Sequence, residues 1–140
     1  IMNAALTQHG AQIDVVLASN DGTAGGAIQA LLEEGLAGKI LVTGQDAELV
    51  ACQRIAAGTQ TMTIYKPIQR LATKAAELAL QLARGRSVIT QQGVNNGTVE
   101  VPAVRLEVVT VTKENLEETV IAEGFHKREE IYGNEKEVRQ

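Results

Sequence analysis

The chain has 140 residues, 44% of them hydrophobic and 21% charged, with a formal net charge of −4. That length suits one domain, and that balance suits an ordinary globular fold. The acidic balance gives no general attraction to nucleic acid or anionic lipid, and no apolar run nears the roughly 20 residues that cross a bilayer.

Residues 1–6 already carry helical periodicity with no N-cap residue before them. Residues 1–9 therefore read as the end of an amphipathic helix closed by Gly10, and the chain is expected to be a piece of a larger protein without a signal peptide. Residues 13–18 form a near-continuous apolar run, which predicts a strand buried on both faces. Asn20-Asp21-Gly22-Thr23 turns the chain. Asp21 or Gly22 is expected to cap the next helix, whose face is Ala24, Ile28, Leu31 and Leu32. Gly22, Gly25 and Gly26 miss the dinucleotide spacing GxGxxG, and no phosphate loop is present. Small residues there are expected to permit close helix–sheet packing, and no cofactor is expected.

Residues 40–43 predict the second strand, with Gly44 allowing a tight exit at Gln45-Asp46. The helix over 47–57 should turn Leu49, Val50 and Ile55 inward and bury Cys52 as an inert thiol. Cys52 has no partner for a disulfide or a metal site. Residues 61–65 predict the third strand. Pro67 opens a helix that runs to about Arg84, with Leu71, Ala75, Leu78 and Leu82 as its apolar stripe. Residues 87–97 are polar, with Asn95-Asn96-Gly97 as a turn. Residues 99–101 and 105–111 alternate like half-solvated strands. Thr112 should cap a short helix over 113–123, which Gly124 ends. Residues 126–140 are dense in charge of both signs and are expected as a solvated helix or tail. The expected division is a lobe over 1–111 and a C-terminal helix with a charged tail over 112–140.

Short apolar runs alternating with helical patterns read as βαβ units, so the fold class is α/β: a three-layer, doubly wound parallel sheet. The three runs end on Asn20, Asp46 and Lys66. Ligands of open α/β sheets bind at the carboxyl ends of the strands, so these three residues should share one rim. An amide, a carboxylate and an ammonium together donate and accept hydrogen bonds, which suits a polyhydroxylated neutral ligand. Sugar sites usually add an aromatic platform. Tyr65 is the one aromatic near this rim, and it should point away from the face that Lys66 takes. No nucleophile elbow, HExxH or metal-spaced cluster is present, and His9 and His126 lack evident acid partners. A binding protein rather than an enzyme is expected, with no metal.

Three stretches, ASNDGTAGGAIQALLEEGLAGKILVTGQDAE, RIAAGTQTMTIYKPI and TVIAEGFHK, resemble the carboxy-terminal half of the periplasmic D-xylose-binding proteins. That group belongs to the type I periplasmic sugar-binding family, which feeds ABC importers. The resemblance covers residues 1–128, and GTQTMTIYKPI is the part most specific to the xylose branch. It implies an incomplete C-terminal lobe, a site in which Asn20, Asp46 and Lys66 contact D-xylose or a related monosaccharide, and an ABC permease as partner. It also implies a periplasmic location, or the outer face of the membrane. The aromatic platform and the remaining contacts would lie in the absent lobe. Two other readings are the ligand-sensing half of a sugar-responsive transcription regulator and a self-associating fragment without ligand. In the family's flavodoxin-like strand order 2-1-3-4-5, the strands here are the third to fifth. The first of them would then lack a neighbour, and a homodimer covering that edge is expected.

Overall fold

The computed structural model describes residues 1–90 and 92–133. Strand β1 (Val15–Val16) pairs in parallel with β2 (Leu41–Val42), Val15 opposite Leu41. Strand β3 (Thr63–Tyr65) follows β2 after one helix. Backbone bonds tie it to the β2 segment: Thr61 N–H donates to the Val42 carbonyl (2.9 Å), Ile64 N–H to Gly44 (3.2 Å) and Asp46 N–H to Ile64 (2.8 Å). One residue bracketed by bonds to positions two apart is the parallel pattern, so the three successive strands run the same way. On the far side of β3 lies β6 (Val109–Val111), antiparallel, with Tyr65 opposite Val109. Sequence periodicity gave β6 no partner or direction; the structure makes it an antiparallel neighbour.

The connecting helices are α1 (Met2–His9), α2 (Asp21–Glu33) and α3 (Leu49–Ala57). Helix α1 ends at Gly10 with a positive φ of 55°, as the terminal glycine requires. Helix α3 starts at Leu49 rather than 47, because Asp46 and Ala47 both hold positive φ, at 100° and 51°. After β6 the chain forms a wide π-type turn over Glu117–Ile121, then α5 (Arg128–Tyr132). An ordinary helix over 113–123 was expected. The wider turn directs Leu116 and Val120 into the core, where both are fully buried.

Apolar side chains gather in two clusters. The first joins α1, α2 and β2 through Leu6, Ala24, Ile28, Leu31 and Val42. The second joins α3, β3, β6 and the C-terminal turns through Cys52, Ile55, Tyr65, Leu116 and Val120. Three sequence expectations change. Val15 and Leu17 are exposed, Leu17 by 86%, so the first strand is not covered on both faces. No strand among the described residues pairs with its outer edge. Leu32 and Val50 also face outward, on the solvent side of their helices. The expected charged tail contains a core residue: Ile131 is buried, held there by α5. The part of that tail over 134–140 lies outside the described residues.

The chain packs as two compact units, residues 1–66 with those from 109 onward, and residues 67–108. The second unit holds α4 (Ile68–Ala83) and a hairpin of β4 (Gly93–Asn95) and β5 (Glu100–Pro102). Asn95 and Asn96 close the hairpin by accepting from the N–H groups of Gly97 and of Thr98 and Val99. Helix α4 buries none of its side chains, and Leu71 and Leu82 of the expected stripe are exposed. One helix and one hairpin supply too little surface to cover an apolar stripe.

Candidate functional site

The carboxyl ends of the parallel strands meet at Asn20, Asp46 and Lys66, all in the first unit. Asn20 caps α2, a role the sequence reading gave to Asp21 or Gly22. Its Oδ1 accepts from the Thr23 N–H (2.9 Å) and the Thr23 hydroxyl (2.7 Å), and Thr23 Oγ1 in turn accepts from the Asn20 N–H. This is the reciprocal capping arrangement, which satisfies two of the helix's unpaired donors. It leaves the amide NH2 group without a partner among the described residues.

Asp46 and Lys66 form an ion pair at 2.5 Å, with side chains 40% and 43% exposed. A pair so exposed to water contributes little to stability, on the order of 0–1 kcal/mol. Its value lies elsewhere: an acceptor and a donor held beside each other, open on one side. The Asn20–Asp21 turn is bound to the same place, because the Asp21 N–H donates to the Gln45 carbonyl at 2.9 Å. The strand ends that carry the three residues are therefore tied together, with Asp46 and Lys66 in direct contact. Together the three side chains offer an NH2, an ammonium and a carboxylate, the complement of hydroxyl groups that both donate and accept.

Beneath the rim lies a buried polar network that the sequence reading missed. The Asp21 carboxylate is fully buried, and its oxygens accept from Gln60 Nε2, Thr63 Oγ1 and the Glu48 N–H, each at 2.9 Å. Arg54 donates to the Asp21 carbonyl from one terminal nitrogen and to Gln60 Oε1 from Nε. Gly25 leaves room for that guanidinium, since a Cβ there would sit 3.0 Å from it. Gly44 is required for space rather than for conformation: a Cβ would collide with Asp21 Oδ1 and Gln60 Nε2. One sequence signal for the network was available. Thr63 shares its strand face with Tyr65, the inward face, so a polar side chain there needed a buried partner.

His126 belongs to the same surroundings. Its Nε2 lies 2.7 Å from the Ala47 carbonyl. A carbonyl only accepts, so that nitrogen carries the proton. Tyr65 points to the core, as expected, donating its hydroxyl to Glu123 and packing against Phe125 at 4.8 Å between ring centres. Cys52 is buried in the same cluster, and burial pushes its thiol up to about 11, with the nearby Asp21 charge adding to the effect. It is a packing residue. An open groove of about 530 Å³ runs along α1, the end of β1 and α2, lined by Met2, Val16, Leu17 and Ala27 among others. Its lining is largely apolar and includes none of the three rim residues, so it is not where polar recognition resides. No group of three or more ligating side chains that could hold a metal is found among the described residues.

Comparisons with known proteins identify the family. Residues 1–87 match the model of the periplasmic binding protein domain. The D-xylose-binding periplasmic proteins of Haemophilus influenzae and Escherichia coli are 52% and 53% identical over 94% of this chain. The chain spans about 40% of the length of each. Among solved structures, a carbohydrate transporter solute-binding protein from Chloroflexus aurantiacus in complex with D-glucose is 34% identical. The two superpose with a TM-score of 0.82 over 92% of this chain and 39% of that one. A solute-binding protein from Clostridium phytofermentans with bound β-D-glucose gives a TM-score of 0.78 at 27% identity, covering 93% of this chain and 42% of its own. With a model match over more than half its length and relatives above half identity, this chain belongs to the periplasmic binding protein domain family.

Proposed function

We propose that this chain supplies one side of a D-xylose site in a solute-binding protein that serves an ABC importer, without catalysing any reaction on the sugar. The observation that supports the reading is the exposed Asp46–Lys66 ion pair at the ends of adjacent parallel strands, with Asn20 at the end of the third. Asp46 accepts from two neighbouring hydroxyls, Lys66 donates to an oxygen beside them, and the Asn20 amide donates to a third position. Xylose itself is favoured by the names of the relatives at 52% and 53% identity. The periplasm is the corresponding location, and an ABC permease the corresponding partner.

The test is calorimetry with D-xylose on the product of the full reading frame, comparing wild type with Asp46→Ala. Leaving sugar hydroxyls unpaired in a closed site costs about 1–3 kcal/mol, a loss of roughly 5- to 150-fold in affinity. Wild-type affinity in Asp46→Ala removes that residue from the site.

A further inference from the structure

The turn that carries Asp46 is strained and held from every side. Asp46 and Ala47 are consecutive non-glycine residues with positive φ, 100° and 51°. Such a conformation is strained for a residue with a Cβ and persists only where its surroundings over-determine it. Here they do. The Asp46 N–H donates to the Ile64 carbonyl (2.8 Å), and the Ala47 N–H to Thr63 Oγ1 (3.1 Å). The Ala47 carbonyl accepts from His126, and the Glu48 N–H donates to Asp21 Oδ2. Thr63 links two of these holds, because its hydroxyl donates to Asp21 while accepting from Ala47. Asp21, Thr63 and His126 all act on the two peptides that set where the Asp46 carboxylate points.

We propose that Asp21, Thr63 and His126 are positioning residues for sugar binding: they fix the left-handed Asp46–Ala47 turn, and so the aim of the Asp46 carboxylate, without touching the ligand. This rests on the reading of Asp46 as a sugar contact.

Thr63→Val removes the hydroxyl at nearly constant volume, and Thr63→Ser restores it. D-xylose affinity is measured by calorimetry on the full-length product for both, for Asp46→Ala, and for the double variant with Thr63→Val. Amide hydrogen exchange at Ala47 and Glu48 is followed alongside. Thr63→Val is expected to lose about tenfold in affinity and to speed exchange at both amides, while Thr63→Ser recovers both. In the Asp46→Ala background Thr63→Val should cost nothing more, since the carboxylate it aims is gone. Should Thr63→Val fail to fold, His126→Phe applies the same test from the half-exposed side of the turn. Equal losses with and without Asp46 overturn the positioning role. So does an unchanged affinity in Thr63→Val beside a loss in Asp46→Ala, which leaves the site itself standing. An unchanged affinity in Asp46→Ala alone overturns the site reading, and with it the route proposed for Thr63.

Discussion

The two apolar clusters of the first unit are built from similar helices and strands, yet one is closed and the other is not. The cluster of Cys52, Ile55, Tyr65, Leu116 and Val120 is sealed by β6 on one side of β3 and by the turns that deliver Leu116 and Ile131. The cluster of Leu6, Ile28, Leu31 and Val42 ends at β1, where Val15 and Leu17 face outward beside an apolar groove. Asp46 and Lys66 sit at the closed half, Asn20 sits at the start of α2 in the open half, and the buried Asp21 network joins the two. Polar recognition needs donors and acceptors that do not move, and only a closed cluster supplies that rigidity. The open half ends at a strand edge with which no described strand pairs.

The largest expected effect separates these halves directly. Leu116→Ala, at a fully buried position, should cost about 3 kcal/mol in urea unfolding. Leu17→Ala, at an 86% exposed position, should cost under about 0.5 kcal/mol when measured at a dilution that keeps copies from pairing. Similar costs at the two sites would show that Leu17 is covered in solution and end the contrast.

Next comes pH. The Cys52 thiol ordinarily loses its proton near 9.0, and in the folded chain it holds it to about 11. The folded state therefore binds the proton more tightly. Its contribution is complete below pH 9 and is lost as pH rises from about 9 to 11. Two units correspond to about 2–3 kcal/mol. Other groups titrate in that range, so the measurement is the difference between wild type and Cys52→Ala in unfolding free energy from pH 8 to 11. Parallel curves for the two proteins would mean that water reaches the thiol and the cluster is less closed than described.

The open half has its own test. No strand among the described residues pairs with the outer edge of β1, which lies among apolar side chains, and Asp14 is the charged residue just before it. Pairing of two copies across that edge is the expected remedy, so light scattering should give a mass near twice 14.9 kDa for this chain. Leu17→Lys places a charge on the edge and should return the monomeric mass with little change in core stability. A monomer in the unsubstituted chain would refute edge pairing.

How much of this was legible beforehand follows from sequence distance. Asn20, Asp46 and Lys66 could be placed because the end of an apolar run is a local feature, and strand ends of a parallel sheet share a side. The family resemblance agreed with that placement independently. The Asp21 network could not be placed, because its partners lie 27 to 42 residues away and only folding brings them together. His126 was read as part of a charged tail for the same reason: its partner is 79 residues distant. The exposed β1 was misjudged because an apolar run specifies that a strand wants cover, not that cover is present. Helix α4 teaches the same lesson through Leu71 and Leu82.

The smallest expected effect is also the one that ties the contrast to function. The rim offers three side chains and no aromatic face, since Tyr65 is committed to Glu123 and Phe125 in the core. Its ion pair is open to water, and hydroxyls that bind there exchange one set of hydrogen bonds for another with little net gain. The relatives that bind D-xylose are about two and a half times as long as this chain, and a second wall over the rim would exclude that water and strengthen each bond. The 140-residue chain alone is therefore expected to bind xylose weakly. Stabilisation by a ligand depends on its concentration relative to Kd, so millimolar xylose should move the melting temperature of this chain by less than about 1 °C. A clear shift at micromolar sugar would mean that the rim is a complete site by itself, and that nothing beyond it is needed to hold the ligand.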